Sequence, residues 1–351
     1  MSKPAITIAG RRIADDTAPY VIAEMSANHN GSIETAFKII EEAKKAGADA
    51  VKIQTYTADT ITLNHDGDDF QIKGGLWGGK TLYQLYEEAH MPWDWHAPLF
   101  KKARELDITI FSSPFDATAV DLLEDLGAPA YKIASFEAVD LELIRYVAGT
   151  GKPMIISTGM ADDAEICEAI EAARRGGCKE IAILHCVSGY PAPAEDYNLL
   201  TIPDMIRRFG LVTGLSDHTL ENTTAIASVA LGARIIEKHF TLDRKGGGPD
   251  DSFSLEPADM MDLCVSSRRA WMSLGRIDYG RKPSEGENVK FRRSLYFVKN
   301  LKAGEIIPAD AIRSVRPGFG LAPKRYGDVV GAVLLKDAEA FGPVTLAHIQ
   351  S

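Results

Sequence analysis

With 351 residues, of which 45% are hydrophobic, the chain is long enough for one large domain with a sizeable core and a second, smaller domain. The net charge of −10 argues against general nucleic-acid binding, and an anionic substrate would need a local cluster of basic groups or a metal ion. No apolar run is long enough to span a membrane, the amino-terminal segment lacks a signal-peptide core, and the four cysteines show no C-x-x-C spacing. We therefore expect a cytoplasmic protein without a disulfide framework or a zinc knuckle.

The chain begins with a predicted hairpin over residues 6–13, and from residue 20 onward apolar runs with polar ends alternate with amphipathic helices. The eight predicted strands span residues 20–24, 50–55, 109–113, 130–135, 153–158, 180–186, 211–216 and 234–239. Eight strands alternating with helices over roughly 250 residues are typical of a (β/α)₈ TIM barrel. A doubly wound open sheet is the alternative, and the absence of a G-x-G-x-x-G motif after the first strand disfavours it.

The clearest predicted helix covers residues 33–46, with Ser32 capping its start and Gly47 its end. The connection over residues 56–101 is much longer than the others and contains the glycine-rich stretch KGGLWGG at residues 73–79. Long loops at the carboxyl ends of strands commonly form lids. The alternative is a helical plug that packs its tryptophans on the rim of the barrel.

After Trp271 the βα pattern stops. Residues 281–294 are polar and poor in apolar side chains, as in a linker, and the chain beyond them alternates short strand-like pieces with Gly and Pro turns. We predict a barrel domain over residues 1–280, a linker over 281–294 and a small second domain over 295–351.

Two histidines follow successive predicted strands. His218 comes directly after the strand at 211–216, His239 ends the strand at 234–239, and residues 222–231 between them are predicted to form the crossover helix. Parallel strands joined in this way lie side by side, so both imidazoles should open onto the same mouth and could bind a divalent metal ion. The alternative is that each is an ordinary strand-end residue.

Further polar side chains end the predicted strands, and in a barrel such residues cluster at the carboxyl face. They include Glu24, Lys52, Gln54, Ser113, Lys132, Ser135, Glu137, Ser157, Ser188, Tyr190 and Ser216. A lysine inside a barrel is costly without an anionic partner, so Lys52 and Lys132 with nearby serine hydroxyls indicate a phosphate site. Ion pairs with Glu24 and Glu137 are the alternative.

Three further predictions concern individual residues. Glu24 ends the first strand, beside the strand that carries His239, and is the best candidate to act on a water molecule or a proton. Asp250 and Asp251 lie in a predicted mobile loop after the eighth strand, where they could bind sugar hydroxyls, although the sequence favours plain solvation. Cys186, in a strand-like run, is expected to be a small core residue.

Several ordered motifs resemble those of the sialic acid synthase family, nearly from end to end of the chain. They are IAEMSANHNG (22–31), KIQTY (52–56), PAYKIAS (129–135), STGM (157–160), GLSDHT (214–219), ALGA (230–233), IEKHF (236–240) and SVRPGFG (314–320). Four other stretches are most similar to the pseudaminic acid branch of that family: KGGLWGG (73–79), SFE (135–137), FSLEP (253–257) and RSLY (293–296). The last domain resembles antifreeze proteins (a SAF domain).

The resemblance implies a metal-dependent condensation of phosphoenolpyruvate with 2,4-diacetamido-2,4,6-trideoxy-L-altrose, with release of phosphate by C–O cleavage. N-acetylneuraminate or legionaminate synthesis from another 2-acetamido aldose is the alternative. The implied metal is Mn²⁺ ahead of Mg²⁺ or Co²⁺, and the implied assembly is a domain-swapped homodimer without nucleic-acid or membrane partners. From other classes, a sugar-binding protein on an inactive barrel and a class II aldolase-like enzyme remain open.

The resemblance also implies a role for each matched residue. Phosphoenolpyruvate would contact Lys52, Ser113, Lys132, Ser135, Ser157 and Ser216; the sugar would contact Gln54, Glu137, Tyr190, Asp250 and, from the second domain, Arg316; the metal would bind His218 and His239; and Glu24 would handle the water or proton. The chain departs from the neuraminate enzymes at Ser188, where they commonly have Asn. A serine there has a shorter side chain and no amide donor, so we give its phosphate contact less weight.

Overall fold

The structure is a computed structural model that describes residues 4–349. The chain divides into two compact units, Met1–Gly275 and Arg276–Ser351. Residues 350 and 351, with which the predicted second domain ends, lie outside the described residues. Within the described part of the chain, no helix is long and apolar enough to cross a membrane.

The first unit is a closed barrel of eight parallel strands, in which each strand pairs with the next and the last pairs with the first. The strands are β3 (Tyr20–Glu24), β4 (Ala50–Thr55), β5 (Thr109–Pro114), β6 (Tyr131–Ile133), β7 (Met154–Ser157), β8 (Ile181–Cys186), β9 (Val212–Asp217) and β10 (Ile235–His239). They follow the hairpin of β1 (Ala5–Ile8) and β2 (Arg11–Ala14). The predicted barrel and all eight of its strands are therefore confirmed, and the open sheet is excluded.

Helices alternate with the strands around the barrel. They are α1 (Ile33–Ala46), α2 (Ala58–Ile61), α3 (Leu82–Ala89), α4 (His96–Glu105), α5 (Ala117–Asp125), α6 (Leu141–Gly149), α7 (Asp163–Arg175), α8 (Thr201–Phe209), α9 (Thr223–Ala230) and α10 (Pro257–Leu274). Helix α1 has the predicted bounds because Ser32 Oγ accepts the Thr35 N–H at its start and Gly47, with φ of 90°, ends it. Helices α2, α3 and α4 lie within the long connection after β4.

Side-chain alternation divides the barrel into two apolar layers. The outward-facing Val51, Ile53 and Ile236 are buried against the helices, as the strand pattern predicts. The inward-facing apolar residues form a separate cluster that includes Ile8 and Ile13 of the amino-terminal hairpin. The hairpin thus closes the amino-terminal end of the barrel, and the polar side chains are left at the carboxyl end.

The second unit has a small core of its own. Strands β11 (Ser294–Phe297) and β12 (Ile312–Val315) pair antiparallel, and Leu295 and Phe297 pack against residues from the turns that follow. A short helix, α11 (Tyr326–Val329), completes the unit, and a 3₁₀ helix over Pro283–Phe291 lies within the stretch predicted as a linker. Arg316 directly follows β12.

Candidate active site

Two lysines and two glutamates meet inside the carboxyl end of the barrel. Lys52 Nζ lies 2.9 Å from Glu24 Oε2 and 3.4 Å from Glu237 Oε1, and Lys132 Nζ lies 3.1 Å from the same Glu237 oxygen. All four side chains are buried. Of the ion pairs that the sequence left open as the alternative, the pair of Lys52 with Glu24 is present, but the carboxylate that pairs with Lys132 is Glu237 and not Glu137. Glu237 takes that place because it faces inward from the strand that closes the barrel.

The four charges affect one another's protonation. Burial raises the pKa of Glu24, and the neighbouring Glu237 raises it further, although Lys52 opposes the shift. Burial also disfavours ionisation of Glu237, but Lys132 and Lys52 outweigh it and lower the pKa of this carboxyl. Glu237 is therefore the resident counter-ion of the two lysines, and Glu24 is the carboxyl best able to take up and release a proton.

Several serine hydroxyls are buried at the same end of the barrel as the lysines. Ser113 Oγ accepts a hydrogen bond from Lys52 Nζ at 3.2 Å, and Ser157 Oγ and Ser188 Oγ are buried without a hydrogen-bond partner. A Cβ at Gly159 would lie 2.3 Å from Ser188 Oγ and 2.8 Å from Ser135 Oγ, so these groups surround a space that only a glycine leaves open. Unsatisfied buried hydroxyls beside two ammonium groups fit a bound phosphate.

We call Ser113, Ser135, Ser157, Ser188 and Ser216 the serine cradle. Ser216 lies on β9, next to Cys186 of β8. Ser216 is buried and is the register partner of Cys186. Cys186 is buried as expected, but it also accepts a hydrogen bond from Ser135 Oγ at 3.4 Å and so belongs to the site and not only to the core. The prediction of a simple core cysteine is therefore incomplete, because residue 186 is the last inward-facing position of its strand.

The two histidines face each other across the mouth of the barrel, with ring centroids 5.4 Å apart. His218 Nδ1 is hydrogen-bonded to the Val187 carbonyl at 2.8 Å, which directs Nε2 away from the backbone. His239 Nδ1 is buried without a hydrogen-bond partner and lies 4.0 Å from Asp250 Oδ2. Burial lowers the pKa of His239 well below its ordinary value, and His218 adds to the effect, so this imidazole is neutral.

These donors fit a divalent metal ion. Neutral imidazole is a common ligand, and the hydrogen bond from His218 Nδ1 to a carbonyl is the arrangement that orients metal-bound histidines. Within residues 4–349, no group of three or more His, Cys, Asp and Glu side chains is arranged to hold a metal. An ion held by His218 and His239 would therefore take its other ligands from water or substrate.

A chain of hydrogen bonds connects Glu24 to Gln54 and, through Ser26, to Asp250. Gln54 Nε2 donates to Glu24 Oε1 at 2.9 Å and to Ser26 Oγ at 3.0 Å, and Ser26 Oγ donates to Asp250. Burial raises the pKa of Asp250, which is 8% exposed. Ser26 is a residue of this network that the sequence did not single out.

The expected solvation of Asp250 and Asp251 is wrong. Asp251 is 1% exposed and accepts hydrogen bonds from Asn30 Nδ2 and from the Gly248 N–H, at 2.9 and 2.8 Å. A Cβ at Gly248 would lie 1.8 Å from Asn30 Oδ1. The glycines of this loop therefore serve to bring it down onto the barrel, which buries both aspartates.

A cavity of about 360 Å³ lies above these groups. Its polar side includes Gln54, Ser135, Glu137, Tyr190, His239 and Asp250, and its apolar side includes Tyr56, Ile72, Trp77, Leu85, Tyr86 and Phe115. Tyr190 packs on His218, with ring centroids 4.3 Å apart. Most of the apolar side comes from the long connection after β4.

Trp77 shows how this connection covers the site. Its indole N–H donates to the Pro249 carbonyl at 2.9 Å, and its ring lies 5.7 Å from the ring of Tyr190. Trp93 does not line the cavity, and its indole N–H donates to the Tyr56 carbonyl at 3.3 Å. The KGGLWGG segment therefore contributes directly to the cavity wall, whereas Trp93 packs as a plug.

The structure thus brings together every barrel residue that the sequence predicts for the site, from Glu24 on β3 to His239 on β10. Arg316 is the one predicted site residue that lies in the second unit. Sequence reasoning missed Glu237 as the counter-ion, although its position two residues before His239 on an inward-facing register was the available signal. It also missed Tyr56 and Phe115, whose placement depends on the path of loops.

The fold and site define the class of the protein: a (β/α)₈-barrel enzyme that combines a basic anion site with a pair of imidazoles at the carboxyl end of the barrel. Within that class the chain belongs to the NeuB family, which it matches over residues 39–279, and residues 292–350 match the SAF domain. The resemblance of the last domain to antifreeze proteins is confirmed by this second match.

Individual relatives agree with this assignment. The chain is 44% identical to the pseudaminic acid synthase of Campylobacter jejuni subsp. jejuni serotype O:23/36 (strain 81-176), over 92% of this chain and 94% of the relative. It is 41% identical to the pseudaminic acid synthase of Helicobacter pylori, over 95% and 98% of the two chains. Among solved structures, the N-acetylneuraminic acid synthetase of Leptospira borgpetersenii in complex with citrate superposes with a TM-score of 0.73 at 29% identity, covering 83% of this chain and 96% of the other.

Proposed function

We propose that this protein catalyses the reaction of a pseudaminic acid synthase, the condensation of phosphoenolpyruvate with 2,4-diacetamido-2,4,6-trideoxy-L-altrose to pseudaminic acid and phosphate. The observation that carries the proposal is the buried pair of lysines, Lys52 and Lys132, at the same end of the barrel as the facing imidazoles of His218 and His239. The identities of 44% and 41% to pseudaminic acid synthases support the choice of sugar.

Phosphoenolpyruvate would be held by the lysines and the serine cradle. The ligand is strongly anionic, and a protein with a net charge of −10 can bind it only where local cations dominate. The proposed contacts are Lys52, Ser113, Lys132, Ser135, Ser157 and Ser216. Ser188 is included in this set because its hydroxyl is buried beside Gly159 without a hydrogen-bond partner.

His218 and His239 would hold the metal ion, for which we propose Mn²⁺ ahead of Mg²⁺ or Co²⁺. When bound, a divalent ion supplies Lewis-acid polarisation of the aldehyde oxygen of the open-chain sugar. The orientation of His218 by the Val187 carbonyl and the neutrality of His239 support this assignment.

The chain's own residues account for the other steps. C3 of phosphoenolpyruvate bonds to the aldehyde carbon as the aldehyde oxygen takes up a proton and becomes a hydroxyl. Positive charge develops at C2, and Glu24 takes the proton of the water that adds at C2. The resulting tetrahedral intermediate expels phosphate by breaking the C–O bond, and the proton of its C2 hydroxyl leaves with the phosphate as the ketone forms. Lys52 and Lys132 stabilise the departing anion, since buried ammonium groups act on developing charge with little screening. The raised pKa of Glu24 suits a group that gains and loses a proton in each cycle.

The sugar would occupy the cavity between its polar and apolar sides. Gln54, Glu137, Tyr190 and Asp250 are proposed to bind its hydroxyl and amide groups. The apolar side, with Ile72 and Leu85, suits the acetamido methyls and the 6-deoxy carbon better than it suits a polyhydroxylated chain. We further propose, from the family resemblance, that Arg316 reaches the acetamido group within a domain-swapped homodimer and that the enzyme works in the cytoplasm.

The sugar assignment predicts a clear order of substrates. Purified enzyme with phosphoenolpyruvate and Mn²⁺ should release phosphate at least about tenfold faster, in kcat/KM, with the trideoxy altrose than with N-acetylmannosamine. The physical reason is that extra hydroxyls would be desolvated against the apolar wall. Replacing Leu85 with glutamine should narrow the ratio, whereas the exposed Leu63→Gln should not. Faster turnover of N-acetylmannosamine, or of the legionaminate precursor, would move the assignment to that branch.

Glu137 predicts a pH dependence. Burial raises its pKa to about 7, and its Oε2 is buried without a hydrogen-bond partner. The Glu137 carboxyl loses its proton as the pH rises through this value. Since only the ionised form accepts hydrogen bonds from the sugar at both oxygens, kcat/KM for the sugar should rise over the same pH range. Glu137→Gln should be slower and should lose the inflection. A profile of the variant that keeps the inflection would assign the titration to another group.

A further inference from the structure

One ion pair lies directly behind the two histidines, on the outer face of the barrel. Lys238 and Asp217 are register partners on β10 and β9, and each is the residue immediately before a histidine. Because strand side chains alternate, this pair faces the helical layer while His218 and His239 face the cavity. The Nζ–Oδ2 distance is 2.8 Å, and the two residues are 2% and 1% exposed.

Lys238 also holds the loop that follows His218. Its Nζ donates to the Thr219 carbonyl at 2.7 Å and to the Glu221 carbonyl at 2.9 Å, with Thr219 Oγ1 at 3.3 Å. Asp217 Oδ1 in turn accepts the Thr219 N–H at 2.9 Å. The chain from residue 217 to 221 therefore wraps around one buried ammonium group.

The backbone of His218 depends on this arrangement. Its N–H donates to the Tyr197 hydroxyl at 2.6 Å, and its carbonyl accepts the Ala192 N–H at 3.1 Å. The hydrogen bond from Nδ1 to the Val187 carbonyl fixes the orientation of the His218 ring. The position of the His218 backbone then depends on its two neighbours, Asp217 and Thr219, which are held by Lys238 and by each other. His239 directly follows Lys238 on β10, and its own carbonyl accepts the Leu255 N–H at 2.8 Å.

The pair is a poor choice if its purpose is stability alone. Two buried charges lose their hydration, and apolar residues of similar size often replace such pairs at no cost to stability. The location of the ion pair, one residue before each histidine, instead affects the geometry of the two histidines. It ties together the two strand ends whose next side chains face each other at 5.4 Å.

We propose that Lys238 and Asp217 are positioning residues that set the separation and orientation of His218 and His239 for a divalent metal ion. The inference rests on the proposed function, since it takes these two histidines to be the metal ligands. Partners behind metal ligands commonly affect affinity by about 10- to 100-fold, so the effect should be large enough to measure directly on the metal-free protein.

The test is Mn²⁺ binding to the full-length, metal-free protein, followed by the electron paramagnetic resonance signal of free Mn²⁺. Wild type should bind one ion, and His239→Ala should not. Lys238→Met should bind about 10- to 100-fold more weakly. The double variant Lys238→Met/Asp217→Leu should recover most of the Tm that the single variant loses, because no unpaired charge remains, but it should stay weak in Mn²⁺ binding.

Ile183→Ala is the matched control. Ile183 is fully buried on the outer face of β8, where its register partners are Ile156 and Thr213 and not the strand ends that precede the histidines, so this variant should lose Tm while keeping wild-type Mn²⁺ affinity. The proposal is overturned if the double variant binds Mn²⁺ as wild type does, or if wild type has no Mn²⁺ site. The proposed reaction is refuted by a different result: wild type in saturating Mn²⁺ would release no phosphate that depends on the sugar.

Discussion

Replacing Lys132 with methionine is expected to lower kcat/KM for phosphoenolpyruvate by about a thousandfold, measured as sugar-dependent phosphate release. Methionine keeps most of the volume but removes the charge that would stabilise the departing phosphate in a site shielded from water. It also leaves Glu237, which Lys132 contacts at 3.1 Å, with Lys52 as its remaining counter-ion. Lys52 is then shared between Glu237 and Glu24, and the excess negative charge repels the substrate, which adds to the loss.

Lys152→Met is the control for this variant. Lys152 forms an ion pair with Glu124 at 2.6 Å on the outside of the barrel and is 26% exposed, so its loss should leave turnover unchanged. Circular dichroism should show that both variants are folded. Turnover of Lys132→Met within tenfold of wild type would mean that this lysine is only a structural partner of Glu237.

Removal of the metal is expected to have the second large effect. Treatment with EDTA should abolish turnover, and added Mn²⁺ should restore it in wild type but not in His239→Ala. Turnover in the presence of Mn²⁺ should differ between the two proteins by about a thousandfold or more, because Lewis-acid stabilisation contributes several kcal/mol. The pKa of His239 is held well below its ordinary value by burial, so the imidazole is available as a ligand at neutral pH. Steady-state assays over a range of Mn²⁺ concentrations measure the effect.

His65 offers a matched substitution. It lies in the long connection after β4 with its ring against Phe70 and outside the cavity, so His65→Gln should respond to EDTA and Mn²⁺ as wild type does. Turnover that resists chelation would remove the metal from the mechanism, and with it the assigned role of the two histidines.

The barrel itself was predictable because its signals are local. Each strand is a short apolar run with a polar end, and α1 carries both of its caps in the sequence, at Ser32 and Gly47. The inward face of each strand then followed from alternation, which is why Lys52 and His239 could be placed on the same side of their strands before the register was known.

The pairing of charges was harder to predict because it depends on register across strands that are distant in sequence. Lys132 and Glu237 are more than a hundred positions apart, and only closure of the barrel by β10 against β3 brings them together. The burial of Asp250 was not predicted, for a different reason. Its loop, rich in glycine, looks mobile by composition, but in the folded protein those glycines allow close packing on Asn30.

The fate of the oxygen that joins carbon and phosphorus in phosphoenolpyruvate distinguishes the proposed C–O cleavage from P–O cleavage. With this oxygen labelled as oxygen-18, the enzyme should release phosphate that carries the label, because the lysines stabilise a phosphate that departs by C–O cleavage after water adds at C2. Mass spectrometry of both products gives the answer. Label retained in the sugar acid, which means P–O cleavage, or no phosphate release that depends on the sugar, would contradict the account.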